Sequence, residues 1–325
     1  MRFNTLDGLR GIAAVLILFH HLGPNSPLAV PAAYLTVDLF FALSGFVVSL
    51  AYDPRLRAGM GLGEFALLRL IRFYPMAFIG AAIGVALTGS YFQTLLLLPD
   101  PSGIDLAYPT LAPLFPSNVP MWTLACELLA NLAFALVIVR SGWRALGAIL
   151  VASGAILTYG ILHYQLSQLG AFWATIGYGL ARTAFAFALG VTLHRVHQRF
   201  AVRRRETQLA WLIPAALLII VTQLPETPIV SLAGVFVLMP LVLWFGTIWE
   251  APQPRLFEEL GGISYPLYCI HGVIIQASNA LGFATGYLWI PLIAVGWWLN
   301  ARIDVPLRGR FLAAMKRRRA ALAPA

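Results

Sequence analysis

The segment GLRGIAAVLILFHHLG, residues 8–23, is apolar enough to cross a membrane, yet it carries Arg10 near its start and His21 near its end. On an α-helix, residues eleven positions apart are rotated by about 1100°, roughly 20° past three full turns, and lie about 16 Å apart along the axis. Arg10 and His21 therefore share one helix face, whereas His20 points about 80° away. Because ionisable groups inside a membrane are costly, this pair indicates a functional site.

Two carboxylates and one further arginine lie inside other apolar stretches. Asp38 in LTVDLFFALSGFVVS and Glu127 in NVPMWTLACELLANLAF are expected at about the depth of His21. A carboxylate bonded to an imidazole fixes its tautomer and raises its basicity, so either residue could orient His21. The alternative for Asp38 is a bond to a backbone group. Arg182, near the middle of GYGLARTAFAFALG, needs a partner, and Glu127 or a bound anion would serve.

A second pair of arginines occurs in LLRLIRFYP, where Arg69 and Arg72 are neighbours on one helix face. Paired guanidinium groups present planar donor forks that suit phosphate. The alternative is topological, because arginine is common at the cytoplasmic end of any span. Trp122 fits an interfacial position, and GGISYPLYCIHGVI places Tyr268 and His271 inside a late apolar stretch.

The elements that must position these residues are membrane helices. The chain is 60% hydrophobic and 11% charged, whereas soluble domains average about 25% charged residues. The composition therefore predicts an all-α integral membrane protein, with one polytopic domain over residues 1–325. Stretches near the required length of about 20 residues fall at 8–24, 33–52, 68–90, 121–140, 144–160, 172–193, 208–223, 228–248, 263–281 and 286–304.

The positive charges support about ten transmembrane helices with both termini in the cytoplasm. In that topology the outward segments 91–120, 161–171, 223–228 and 282–285 contain no Lys or Arg, although the net charge is +9. The basic tail KRRRAALAPA is expected to contact anionic lipid, and nucleic acid is not an expected partner. Segment 91–120 is expected to lie in the membrane interface or to fold back over the helices.

Several of these segments resemble motifs of the membrane acyltransferase family 3, which includes O-acetyltransferases of bacterial surface polysaccharides. LDGLRGIAAVLILFHH is similar to the family's opening motif of Arg, ten residues and His, which selects His21. VDLFFALSGFVVS, RLIRFYP, MWTLACE and ISYPLYCIHG resemble its later motifs in the same order. Two departures stand out: CELLANLAF lacks the usual Glu-Glu-x-x-Tyr character, and Asp304 occupies a position where many members carry Glu.

The resemblance implies a multi-pass enzyme of the bacterial inner membrane. It would transfer an acyl group, with acetyl expected, from acyl-coenzyme A to a hydroxyl of a sugar or glycan precursor. Residues expected to bind the donor are Arg69, Arg72, Tyr74 and Arg182, the last at the thioester oxyanion. Residues expected at the substrate are Trp122, Tyr268 and His271. No metal is expected, and no fused extracellular esterase-like domain is expected within these 325 residues.

His21 is the expected general base toward the acceptor hydroxyl, and Asp38 or Glu127 is expected to orient its imidazole. Arg10, also counted with the catalytic residues, is expected nearer the inner surface, beside Arg69 and Arg72. A transient acyl-histidine is the alternative mechanism, and the sequence does not separate the two. A secondary transporter or flippase for an anionic or lipid-linked solute is the competing class, because intramembrane charges also mark transport paths. The sequence shows no inverted repeat in its favour. A purely structural membrane subunit would leave the alignment of Arg10 with His21 unexplained.

Overall fold

The computed structural model describes residues 3–23, 26, 28–101, 112–165, 168–207, 209–283 and 285–322, and this part of the chain is mostly helical. The α-helices are α1 (Asn4–His21), α2 (Thr36–Arg57), α3 (Leu62–Thr88), α4 (Met121–Leu136), α5 (Trp143–Tyr164), α6 (Ile176–Arg199), α7 (Leu212–Thr222), α8 (Pro228–Ala233), α9 (Met239–Ile248), α10 (Pro254–Ala280), α11 (Trp289–Leu299) and α12 (Val305–Leu322). Two-residue strands β1 (Arg205–Glu206) and β2 (Trp249–Glu250) pair in parallel. A π-helical turn, Gly234–Leu238, joins α8 to α9.

Several helical runs are long and apolar enough to cross a membrane. Within the described residues there are five of them: Pro31–Arg57, Leu62–Thr88, Trp143–Tyr164, Trp173–Arg199 and Pro228–Ile248. α4 and α7 are apolar but shorter. The structure therefore agrees with the predicted all-α, multi-pass membrane protein. The full count of about ten spans and the cytoplasmic termini stay predictions.

Two late helices extend beyond their predicted apolar stretches. α10 begins at Pro254 rather than near residue 263, and proline is well tolerated in the first turn of a helix. α11 continues through a second π-helical turn, Asn300–Asp304, into α12. Both differences have the same cause. Hydropathy detects only the apolar part of a helix, and the helix can continue through polar residues beyond that part.

α1 packs most extensively against α10. The backbones approach so closely that a Cβ atom on Gly11 would lie 2.6 Å from the carbonyl oxygen of Leu260. Only glycine leaves room for this contact. The close approach fixes the position of Arg10 relative to the N-terminal half of α10.

α2 and α6 form the second extensive helix contact. A Cβ atom on Gly45 would overlap the carbonyl oxygen of Phe187, and a Cβ atom on Gly190 would overlap that of Ala42. Small residues commonly allow such close packing between membrane helices. The orientation of α2 is therefore set along its length by α6.

One buried ion pair also joins α2 to α6. Arg182 Nε donates to Asp38 Oδ1 at 2.7 Å, and Arg182 Nη2 donates to Asp38 Oδ2 at 2.9 Å. Both side chains are only 2% exposed. This is the bidentate arrangement that makes an arginine–carboxylate pair strong and directional.

A polar clamp that the sequence did not predict holds the start of α1. The Asn4 backbone N–H donates to Glu250 Oε1 at 2.8 Å, and the same carboxylate pairs with Arg204. Thr5 Oγ1 donates to the carbonyl oxygen of Trp249 at 2.7 Å. Strands of two residues carry no periodic pattern, which explains why hydropathy could not reveal β1 and β2.

The described part of segment 91–120 folds back over the helices, as one of the two expectations proposed. Leu114 and Phe115 are buried, and the Leu114 N–H donates to the carbonyl oxygen of Ala171 at 2.9 Å. The Asp100 N–H donates to the Leu114 carbonyl at 2.8 Å. Residues 102–111 lie outside the described residues, as do most side chains of the predicted lipid-binding tail from Lys316 onward.

The Asp38–Arg182 pair predicts a characteristic pattern of stability. Asp38→Asn leaves a buried guanidinium without its counter-charge, which costs about 3–5 kcal/mol, whereas removing both charges restores much of the loss. We expect Asp38→Asn to lower the unfolding temperature of the detergent-purified protein strongly, and Asp38→Asn/Arg182→Gln to lower it less. Thermal unfolding followed by tryptophan fluorescence measures both.

The exposed pair Arg55–Glu64, at 3.6 Å, is the matched control. Glu64→Gln should cost less than about 1 kcal/mol, because exposed ion pairs contribute little. Additive losses in the Asp38/Arg182 double variant would contradict the coupling.

Candidate active site

Helices α1, α2, α3, α4 and α10 enclose a cavity of about 320 Å³, named here the arginine cavity. Its apolar lining comes mainly from α2, including Val37, Phe40 and Phe41. Its polar lining is Asp7, Arg10, Ser44, Arg69, Arg72, Thr123, Glu127, Ser264, Tyr265 and Tyr268. The structure thus brings three of the predicted site arginines, Arg10, Arg69 and Arg72, into one space.

Arg10 is held in place by groups of α10 and by its own helix. Its Nε donates to Ser264 Oγ at 3.1 Å, and its Nη2 donates to the carbonyl oxygen of Gly261 at 2.9 Å. Asp7, one turn earlier, lies 3.2 Å from the same Nη2. These contacts define the direction of the guanidinium at the cavity wall.

Arg69 and Arg72 are held by aromatic rings. The Arg69 guanidinium lies 4.7 Å from the ring centre of Phe73, and that of Arg72 lies 4.9 Å from the ring centre of Tyr265. Within the described part of the chain, Arg69 Nε and Arg72 Nη1 are buried and have no hydrogen-bond partner. Buried donors without a partner are costly, so these N–H groups suit an anionic ligand.

Asp304 forms ion pairs with Arg72 and with Arg308. It is fully buried, and its Oδ2 lies 3.7 Å from Arg72 Nη1 and 2.6 Å from Arg308 Nη2. The sequence comparison marked Asp304 only as a departure from a family motif. Its partner on α3 could not be read from the sequence, because the contact joins residues more than two hundred positions apart.

Glu127 lies in the arginine cavity and interacts electrostatically with Arg69, Arg72 and Arg10. The expectation that it lies beside His21 is therefore wrong, and so is its expected pairing with Arg182, whose partner is Asp38. The reason is depth: α4 begins at Met121, so Glu127 is about 9 Å further along the helix axis.

A second cavity of about 140 Å³, named the histidine cavity, contains His21 in its wall. Its lining residues are Ile17, His20, His21, Tyr34, Val37, Val119, Pro120, Trp122, Gln168, Ala171, Phe172, Arg182 and Tyr268. The predicted site residues Trp122, Arg182 and Tyr268 are therefore grouped with His21. Val37 and Tyr268 line both cavities.

The backbone of its own helix orients His21. Its Nδ1 lies 2.8 Å from the carbonyl oxygen of Ile17. A carbonyl oxygen only accepts hydrogen bonds, so this contact places the proton on Nδ1 and leaves the lone pair on Nε2. Asp38 uses both carboxylate oxygens on Arg182, so the expected Asp38–His21 pair is also wrong.

His271 lies behind His21. The two ring centres are 4.9 Å apart in an edge-to-face arrangement, and His271 is fully buried. Its Nδ1 lies 2.8 Å from the carbonyl oxygen of Tyr268. His271 is not among the residues that line either described cavity, so the structure does not place it at the expected substrate contact.

Tyr74 also lies away from its expected position. Its hydroxyl donates to the carbonyl oxygen of Leu95 at 3.0 Å, and neither described cavity includes it. Tyr74 therefore anchors segment 91–120 instead of facing a donor. Among the described residues, no group of three His, Cys, Asp or Glu could hold a metal ion.

Sequence reasoning missed the small polar residues of the site. Ser264 contacts Arg10, and Thr123 Oγ1 lies 2.8 Å from the Tyr268 hydroxyl. Ser264 lies within ISYPLYCIHG and Thr123 lies within MWTLACE, so their membership of these motifs could have identified both residues as site candidates. They were not singled out because small residues in membrane helices usually serve packing.

Part of the chain is similar to a known protein. A protein of Rhizobium radiobacter, "Protein 2 in picA locus", is 41% identical over 105 residues, which are 32% of this chain and 53% of that protein. The chain thus matches about half the length of this curated relative. No solved structure matches the chain.

The model of the acyltransferase domain family matches residues 3–301. This range includes every residue that lines the arginine and histidine cavities. The chain therefore belongs to the acyltransferase domain family.

Proposed function

We propose that this protein is a membrane O-acyltransferase that moves an acyl group, acetyl in the simplest case, from acyl-coenzyme A to a hydroxyl of a sugar or cell-surface glycan precursor. One observation carries the proposal. Arg10, Arg69 and Arg72 line one cavity, and two of its wall residues, Val37 and Tyr268, also line the cavity of His21. A candidate anion site and a candidate base thus lie on either side of two shared side chains.

The arginine cavity suits the phosphate end of coenzyme A. Three arginines and two carboxylates line it, so positive charge is in excess. The buried N–H groups on Arg69 and Arg72 can donate to phosphate oxygens, and guanidinium groups favour phosphate geometry. Arg10 and His21 are about 16 Å apart along α1, a separation that a long, flexible donor can bridge.

His21 would act as the general base. The Nε2 lone pair takes the proton of the acceptor hydroxyl while the hydroxyl oxygen attacks the carbonyl carbon of the thioester. The carbon–sulfur bond then breaks, and the thiolate takes the proton back from His21. Arg182 is proposed to stabilise the oxyanion from the wall of the same cavity. Glu127, in the arginine cavity, would balance the guanidinium charges instead of orienting His21.

The acyl-histidine route uses the same Nε2 lone pair and therefore needs its own test. Protein incubated with radiolabelled acetyl-coenzyme A but no acceptor would retain the label on His21 in that route. Direct transfer would leave the protein unlabelled.

The proposed setting is the bacterial cytoplasmic membrane. The basic segments support an orientation in which the arginine cavity faces the cytosol, where acyl-coenzyme A is present, and the histidine cavity faces the outer surface. Surrounding lipid and a hydroxyl-bearing glycan acceptor would be the partners.

Donor binding tests the arginine cavity directly. Arg69→Ala/Arg72→Ala should weaken acetyl-coenzyme A binding by about 100-fold or more, because each hydrogen bond to a charged group contributes about 1.5–3 kcal/mol. Arg69→Lys/Arg72→Lys keeps the charge but loses the planar forks, so it should lie between this variant and wild type. Isothermal titration of the detergent-purified protein provides the dissociation constants.

Arg144→Ala/Arg255→Ala removes the same charge from exposed positions outside both cavities, and binding should not change. A wild-type protein that does not bind the thioester would overturn the proposed function and favour the transport alternative.

Turnover tests His21. His21→Gln should bind acetyl-coenzyme A like wild type but release coenzyme A about 10²–10⁴-fold more slowly when an acceptor is present, since that is the usual contribution of a general base. His20→Gln is the matched variant on the same helix and should lose less than about tenfold. Thiol detection of free coenzyme A gives both rates. Equal losses in the two variants would contradict the assignment of His21.

A further inference from the structure

A wall of side chains separates the arginine cavity from the histidine cavity. Val37 of α2 and Tyr268 of α10 line both cavities, and each is 8% exposed. Phe40, one turn after Val37, lines only the arginine cavity, and its ring centre is 5.7 Å from that of Tyr268. Any group that passes from the arginines to His21 meets this wall first.

Hydrogen bonds hold Tyr268 in the wall. Thr123 Oγ1 lies 2.9 Å from the carbonyl oxygen of Pro120 and 2.8 Å from the Tyr268 hydroxyl. The carbonyl can only accept, so the Thr123 hydroxyl donates to it and the Tyr268 hydroxyl donates to Thr123. The ring contact with Phe40 and the hydrogen bond to Thr123 therefore hold both the ring and the hydroxyl of Tyr268 in place.

The two cavities also differ in size. The histidine cavity has about 140 Å³, compared with about 320 Å³ for the arginine cavity. Both the reacting carbonyl and the acceptor hydroxyl must approach His21 on the smaller side. Space on that side, rather than space around the arginines, is then the quantity that limits an acyl chain.

We infer that Val37 and Tyr268 form a constriction that limits the length of the transferred acyl group, because they bound the small space beside His21, which has room for a short acyl end but not for longer chains. This inference rests on the proposed function, because it concerns the same donor and the same base. The constriction acts after the donor phosphates are bound. It changes turnover of long-chain donors and leaves the affinity set by Arg69 and Arg72 unchanged.

Substitutions at the wall test the constriction by chain-length preference. Val37→Ala and Tyr268→Ala widen the passage, and each should raise the ratio of kcat/KM for butanoyl-coenzyme A to that for acetyl-coenzyme A by about tenfold or more. One methylene in an apolar pocket commonly changes selectivity by about 10–200-fold. Val37→Leu narrows the passage and should lower the ratio. Tyr268→Phe keeps the ring and should leave the ratio near that of wild type.

Val85→Ala is the control for buried valine loss, because Val85 is 7% exposed and lines neither described cavity. It should not alter the ratio. Acetyl-coenzyme A affinity, measured in parallel, should stay at the wild-type value in both Val37 variants.

The outcomes separate this inference from the proposed function. If wild type transfers acetyl but both Val37 variants keep its chain-length ratio, the constriction is wrong and the acyltransferase stands. Equal use of acetyl and butanoyl donors by wild type would also overturn the constriction. If wild type releases coenzyme A from neither donor with any hydroxyl acceptor, the proposed function itself fails.

Discussion

The buried pair between Asp38 and Arg182 is the interaction on which the rest of the site depends. It fixes α2 against α6, and α2 supplies much of the apolar lining of the arginine cavity. Val37, adjacent to Asp38 in the chain, stands between the two cavities. A buried charge must be paired, so Arg182 cannot leave Asp38 without a large cost. Rotation of α2 would break the Asp38–Arg182 pair and would also move Val37 from its position between the two cavities. One electrostatic requirement thus determines the geometry of a mostly apolar site.

The pairing of α1 with α10 provides a second constraint. α1 carries Arg10 in its first half and His21 as its last residue, and α10 contacts them through Ser264 and His271 respectively. The absence of a side chain at Gly11 lets the two helix backbones come into close contact. The distance between the arginine layer and the histidine is therefore set by rigid elements rather than by loops. Such rigidity suits transfer chemistry, because small errors in position reduce the rate strongly.

The sequence predicted what depends on one helix alone, and it failed where two helices meet. Helical periodicity placed Arg10 and His21 on one element, and the structure puts each in a cavity wall. Depth along the chain suggested that Asp38 and Glu127 meet His21, but α4 begins at Met121, which puts Glu127 at another depth, and depth does not determine which neighbour Asp38 faces. Asp38 instead pairs with Arg182, 144 positions away. Only packing between helices determines such contacts, and hydropathy does not contain that information.

The corrected positions change the role of charge at the base. A carboxylate beside His21 would hold a proton on the ring and favour the charged form. The Ile17 carbonyl orients the ring through Nδ1 and adds no full charge. Glu127 lies instead among three guanidinium groups, where a negative charge offsets their mutual repulsion. With Nδ1 on the Ile17 carbonyl, His21 carries on Nε2 the lone pair that a base requires. In the same arrangement, the arginine cavity keeps an excess of positive charge for a phosphate-bearing donor.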